Sequence, residues 1–309
     1  TDALKTLNRS AINYYQPLLK AAGCESLLTL KGSLLVFEST AIEDIEKIHL
    51  QYQDAGINVK LLSKSQALLL EPDLHPNISH ALYFVDVGHT IDPAKLCFAL
   101  AEYANQLGAK FFRSNILSVN EKHGKVELWT EQELLTFDKV VIATGAWSKA
   151  IMAPLGYKIP IEAERGYHYQ LQPHHNLSRP VASAERKFII TPMAETLRLA
   201  GTVEYSGLNA RPNYQRAKML LDSANKIIKT MPNQLADQDE QQWMGARPSL
   251  PDSLPVIGKA PKHNNIFVAT GHQHLGLTQG AITGKLMAQL IAGEQTDIDI
   301  TPFSLSRFN

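Results

Sequence analysis

The chain has 309 residues, 44% of them hydrophobic, which is enough to bury one large core or two interleaved domains. Its 30 basic and 30 acidic residues cancel, and no block of like charge stands out, which argues against nucleic acid or an anionic membrane surface as a partner. The two cysteines, Cys24 and Cys97, lie far apart without metal-type spacing, no apolar run approaches the ~20 residues that span a bilayer, and no signal-peptide pattern is present, so a reduced, cytoplasmic protein is the expectation. The sequons at Asn8, Asn77 and Asn176 would matter only in a secretory context.

In chain order, Leu4, Leu7, Ile12, Tyr15, Leu18 and Leu19 recur at near-helical spacing until Gly23, predicting a helix over 2–22. Residues 31–39 read as a strand, 40–54 as a helix, 63–70 as a short helix closed by Glu71-Pro72, and 81–87 as a strand. Asp92-Pro93 is a good helix start, with proline at the first helical position. Leu96, Leu100, Tyr103, Ala104 and Leu107 then form one apolar face up to Gly108. Strands are expected at 110–112, 116–119, 126–129, 134–137 and 140–143, an order that suits a dinucleotide-binding domain after its first βαβ unit. Further strands are expected at 167–171, 187–191 and 196–205. A helix over 212–230 should turn Met219, Leu220, Ala224, Ile227 and Ile228 inward, and 233–241 reads as a polar loop.

Two junctions and one arginine carry candidate chemistry. The run at 140–143 ends in Thr144-Gly145-Ala146 and turns toward a helix near Trp147-Ser148, where small residues let a backbone approach a phosphate or ribose; plain packing explains the same pattern. The run at 266–269 ends in Thr270-Gly271, and Leu277, Ala281, Gly284, Met287, Leu290 and Ile291 then recur at helical spacing. Gly271, Gly276 and Gly280 thus lie between a strand end and a first helical turn, whose free N–H groups suit a polar or anionic cofactor edge; an ordinary strand–turn–helix fits as well. Arg247 can pair with a carboxylate through two parallel hydrogen bonds, or sit in a surface salt bridge. His272 and His274, at i,i+2 spacing without a carboxylate or cysteine partner, do not suggest a metal site.

GARPSLPDSLPVIG (245–258) followed by ATGHQHLGLTQGAITGKL (269–286) resembles the C-terminal signature of the FAD-dependent D-amino acid oxidase superfamily. Within it the stretch is most similar to bacterial D-amino acid dehydrogenases of the small-subunit type and to D-hydroxyproline dehydrogenases. The resemblance spans nearly the whole chain and implies an α/β (α+β) fold in two interleaved parts. One is a Rossmann-like FAD-binding domain (1–28, 87–157 and 245–309); the other is an antiparallel-sheet substrate domain (29–86 and 158–244). No G-x-G-x-x-G occurs in the chain, so the resemblance implies that about 100 N-terminal residues, one mononucleotide-binding half, are missing and the FAD-binding domain is incomplete at its N-terminus.

The cofactor implied is non-covalent FAD, whose retention by a truncated chain the resemblance leaves open; no cysteine lies near the C-terminal loop to form a thioether. By resemblance, the backbone of Ile116 lies by the adenine, and Thr144, Gly145, Ala146 and Trp147 pass the pyrophosphate. Gly271, His272, His274, Leu275, Gly276, Leu277 and Thr278 follow the flavin edge, with His274 standing where glycine-oxidase-like relatives can carry arginine. Arg247 becomes the anchor for a substrate carboxylate, with Tyr167 and Tyr205 as further catalytic candidates and His168 and Glu204 as cavity walls. The implied activity is oxidative deamination of D-amino acids or cyclic imino acids by hydride transfer from Cα to flavin N5, with a quinone or O2 as electron acceptor. A quinone would imply peripheral membrane association. The alternatives are a glycine- or sarcosine-type oxidase and a flavin-free, non-catalytic remnant.

Overall fold

A computed structural model describes residues 2–172, 176–231 and 241–308. The stretch expected as a polar loop at 233–241 lies outside them except for Gln241. The opening helix divides at Ser10 into α1 (Asp2–Arg9) and α2 (Ala11–Ala21), and Gly23, at φ +64°, takes the left-handed position just beyond the second. Then come β1 (Leu28–Thr29), β2 (Ser33–Phe37), α3 (Ile42–Asp54), β3 (Val59–Ser63), α4 (Lys64–Leu70), β4 (His80–Phe84), β5 (His89–Thr90) and α5 (Pro93–Gln106). Helix α4 opens on a capping box, in which the Ser63 hydroxyl accepts the Gln66 N–H and the Gln66 side chain accepts the Ser63 N–H. Helix α5 starts where Asp92-Pro93 predicts, with the Asp92 carboxylate accepting the Lys95 N–H.

Residues 110–112 form no strand. Phe111 and Phe112 are 65% and 78% exposed, and no described segment offers the backbone partners that a strand needs. Three strands, β6 (Ile116–Lys122), β7 (Lys125–Thr130) and β8 (Leu134–Phe137), make an antiparallel meander before β9 (Val140–Ile142), a 3-10 turn at Gly145–Trp147 and α6 (Ser148–Met152). After them run β10 (Glu162–Leu171), β11 (Val181–Ser183), β12 (Phe188–Pro192), β13 (Leu197–Tyr205) and α7 (Gln215–Ala224). The chain closes with β14 (Gln242–Ser249), β15 (Val256–Lys259), β16 (Ile266–Thr270), a 3-10 turn at Gln273–Leu275 and α8 (Gly276–Ala292), followed by two short 3-10 turns. Helix α7 is shorter than expected. It buries Ala217, Leu220 and Ala224, whereas Met219 points away and is 57% exposed; Ile227 and Ile228 are buried beyond the helix end.

Eight strands form one sheet in the order β14-β10-β13-β12-β11-β2-β4-β3, antiparallel throughout except where β11 meets β2. One face carries Tyr167, Tyr169, Leu171 and Leu199 into a core shared with Ala217, Leu220 and Ala224 of α7. A separate sheet, β15-β16-β9, pairs β16 with β9 in parallel, and Ile257 and Phe267 from it pack with Leu7 of α1 and with Ile282 and Leu286 of α8. Strands from two distant parts of the chain thereby set the turns after β9 and β16 side by side.

A buried ion pair ties the middle of the large sheet to the end of α4. Arg179 Nε donates to Glu71 Oε1 at 2.6 Å and Nη1 donates to the Lys31 carbonyl at 2.6 Å, while Glu71 is 1% exposed. Replacing Arg179 with Met strands a buried carboxylate, so Arg179→Met should lower unfolding free energy by about 3–5 kcal/mol, measured by urea titration. A loss within experimental error would show that the clasp is dispensable.

Candidate functional site

The register of β10 assembles the site. Glu164, Gly166, His168 and Gln170 alternate onto one face of the strand. They lie opposite Arg247, Gly245 and Trp243 of β14, and opposite Tyr205, Val203, Ala200 and Arg198 of β13. Arg247 Nη1 donates to Glu164 Oε1 at 2.8 Å, and Glu164 Oε2 accepts from Ser249 Oγ at 2.9 Å and Tyr205 Oη at 3.2 Å. Burial pushes the Glu164 carboxyl up, but Arg247, Ser249 and Tyr205 together hold it below the ordinary glutamate range. Gly166 is required by this arrangement, because a Cβ there would lie 2.3 Å from Arg247 Cζ. The guanidinium therefore lies directly over the strand.

Beyond it, the His168 ring stacks on Trp243 with centroids 4.9 Å apart and planes 15° from parallel. The Gln170 amide donates to His168 Nε2 at 3.1 Å. Burial, then the charges of Arg198 and Arg247, push this imidazole down to about 4, so it is neutral at neutral pH. The same alternation separates neighbours in sequence. Tyr167 and Glu204 face the α7 side, where the Tyr167 hydroxyl donates to Glu204 and accepts the Asn213 N–H at 2.9 Å. Of the four residues expected around one cavity, the sheet brings His168 and Tyr205 to Arg247 and carries Tyr167 and Glu204 to the opposite face.

The two glycine turns are joined by hydroxyls. Thr270 Oγ1 donates to the Gly145 carbonyl at 3.0 Å, Ser148 Oγ donates to Thr270 Oγ1 at 3.1 Å, and Thr144 Oγ1 lies 3.0 Å from Ser148 Oγ. Gly145 and Gly271 take φ values of +54° and +81°, and a Cβ on Gly271 would also lie 2.3 Å from Leu250 Cδ1. Strand β14 packs against both turns, which sets Arg247 and the turns on connected surfaces. Ala146 is buried while Thr144 and Trp147 are exposed; Gly276, Leu277, Thr278 and His274 are exposed, and Leu275 is half-buried. His272 is half-buried, with Nε2 3.0 Å from Thr283 Oγ1, and burial pushes it down to about 4. Ile116, at the start of β6, packs against the cluster of Ile142, Met152 and Leu250 that backs both turns.

This donor set suits a large cofactor with polar edges. No side chain caps α8, a 17-residue helix, or the 3-10 turn at Gly145–Trp147. First-turn N–H groups of a helix have no intrahelical acceptor, and the positive dipole end adds to their pull on an electron-rich edge. Among the described residues no three His, Cys, Asp or Glu side chains gather as metal ligands would. Glu164, Trp243 and Arg198 were not candidates from sequence. The signal for Glu164 was the two-residue alternation from His168; Trp243 and Arg198 become visible only once the strand partners are known.

Two neutral histidines make stability pH-dependent. His168 and His272 titrate near 6.5 when unfolded and about 4 when folded, so the unfolded chain binds more protons in between. Stability should be full above about 6.5 and decline as pH falls toward 4. In a His168→Gln, His272→Gln double variant the slope of unfolding free energy against pH should flatten over that window. An unaltered slope would contradict the burial of neutral imidazoles.

Residues 1–290 match the family described as FAD dependent oxidoreductase, DAO. D-amino-acid oxidase of Bradyrhizobium diazoefficiens is 34% identical over 308 residues, covering 99% of this chain and 73% of the relative. D-amino acid dehydrogenase of Vibrio atlanticus is 30% identical over 297 residues, covering 90% of this chain and 68% of the relative. Among solved structures, glycine oxidase from Geobacillus kaustophilus aligns with a TM-score of 0.86 at 25% identity, over 98% of this chain and 81% of that one. L-proline dehydrogenase from P. horikoshii shares the fold, with a TM-score of 0.85 at 21% identity over 98% of this chain and 82% of that one. The chain belongs to the DAO family of FAD-dependent oxidoreductases.

Proposed function

We propose that the protein oxidises small D-amino acids or cyclic imino acids at Cα, passing electrons onward to a quinone or O2. The observation that carries this reading is the guanidinium of Arg247. Glu164 occupies Nη1, while Nε and Nη2 have no hydrogen-bond partner among the described residues. Two donors are therefore free to receive a carboxylate, and Glu164 fixes the plane in which they lie. Tyr205, 66% exposed and bonded to Glu164, borders the same opening. Neutral His168 adds no positive charge beside an amine that must arrive unprotonated to be oxidised. Tyr167 stands behind the sheet, and its contribution would be to hold Glu204.

FAD, when bound, supplies the two-electron acceptor. The residues that would hold it are the first turn of α8 (Gly276, Leu277, Thr278) with Gly271, His272, His274 and Leu275, the turn Thr144–Gly145–Ala146–Trp147, and Ile116. In this reading the cofactor domain comprises 1–28, 87–157 and 245–309, and the substrate domain 29–86 and 158–244. Among the described residues no helix is long and apolar enough to cross a membrane, and membrane association would be peripheral. Support for the substrate class comes from the D-amino acid relatives.

The glycine oxidase likeness favours a second reading, oxidation of glycine or sarcosine. Comparing kcat/KM on D-alanine, D-proline, glycine and sarcosine, with peroxide yield measured alongside, separates the two. For the primary reading, Arg247→Ala should retain the visible flavin absorbance of the wild type and lose about 10–100-fold in kcat/KM, the value of a charge-assisted pair. Arg247→Lys, which keeps the charge without the fork, should recover part of the loss. Unchanged kinetics in Arg247→Ala would remove the proposed anchor.

A further inference from the structure

We infer that Arg198 is a second anion-binding residue on this sheet face, and that the substrate is a D-amino acid whose side chain ends in a carboxylate. This rests on the reading of Arg247 and the D-amino acid class given above. Arg198 lies on β13 opposite Gln170, in the row beyond the His168–Trp243 stack and on the same face as Arg247. It is half-buried, and its Nε is fully buried without a hydrogen-bond partner.

Elsewhere the sheet and its flanks pair their guanidinium groups closely: Arg179 with Glu71, Arg186 with Glu38, Arg216 with Glu204 and Arg247 with Glu164. Arg198 has no ion pair among the described residues. The carboxylate whose charge reaches it, Asp92, is committed to the N-terminus of α5, accepting the Lys95 N–H through Oδ1 at 2.9 Å and facing Lys95 Nζ at 3.5 Å through Oδ2. A desolvated cation without a partner is costly, and a ligand that carries an anion to it relieves that cost.

The spacing selects the ligand. Arg247 places its guanidinium over Gly166, and the row of Arg198 lies four residues along β10, about 13 Å of strand. Both residues lie on the sheet face that carries the stacked rings, and their charges both act on His168. Glu164 already balances Arg247 and His168 is neutral, so among the described residues of this face the uncompensated positive charge resides on Arg198. A D-amino acid with a carboxylate at each end would meet Arg247 with one and Arg198 with the other, lying across the flat floor of His168 and Trp243.

The test compares wild type with Arg198→Met and Arg198→Lys, each checked for native circular dichroism and flavin content. The ratio of kcat/KM on D-glutamate or D-aspartate to that on D-alanine should fall at least tenfold in Arg198→Met and less in Arg198→Lys. Independently of turnover, calorimetry should show succinate binding weakened at least tenfold by Arg198→Met, with propionate binding changed much less. An unchanged substrate ratio, or equal weakening of succinate and propionate, overturns the assignment. If the wild type consumes no D-amino acid, the proposed activity fails, and the succinate–propionate comparison still decides whether Arg198 is the second anion site.

Discussion

The pairing of β10 with β14 is the constraint on which the site depends. Strand β14 is the edge of the eight-stranded sheet, and its sequence leads within a few residues into β15, β16 and α8. It is thus the seam between the eight-stranded sheet and the two glycine turns. One register places Arg247 beside Glu164; a slip of one residue would turn Arg247 to the α7 side and exchange the whole row. Edge position also explains how β14 accommodates Pro248, which lacks an N–H for a second neighbour. The ion pair itself, with Arg247 about 30% exposed, contributes modestly to stability. Its importance is orientation: Glu164 occupies one nitrogen and fixes the plane of the others.

Glycine enables that geometry at two places for different reasons. Gly166 has an ordinary backbone and is needed for space, since the guanidinium occupies the volume of a missing side chain. Gly271 is needed for both space and conformation, taking φ +81° with Leu250 against it. The hydroxyl chain Thr144–Ser148–Thr270 then locks the turn after β9 to the turn after β16, so that two strand-to-helix junctions present their backbone groups as one surface. The two turns and the residues around Arg247 share a frame through β14, which touches both turns while carrying Arg247.

Much of this frame was legible in the sequence, and what was not has a consistent cause. Helix α5 was readable because Asp92-Pro93 is a local signal, and the junctions at Thr144–Trp147 and Gly271–Thr278 because a strand, a glycine and a helical period follow one another directly. Strand β14 was hidden because Gly245 and Pro248 are poor strand formers, tolerated at an edge that local pattern does not reveal. The split between His168 and Tyr167 depends on which face of β10 meets α7, and so on packing rather than composition. Phe111 and Phe112 read as strand residues because they are apolar, yet they have no described partner, and Met219 read as inward although α7 presents another stripe. Arg198 carried no local signal at all; its meaning comes from having no counter-ion among the described residues where its neighbours do.

The most direct measurement of the central claim is a crystal structure of the flavin-loaded enzyme with a bound carboxylate substrate analogue. A carboxylate oxygen within hydrogen-bond distance of Arg247 Nε or Nη2, with Glu164 still on Nη1, is the expected result. A ligand carboxylate seated away from Arg247, with that guanidinium contacting only Glu164, would contradict it.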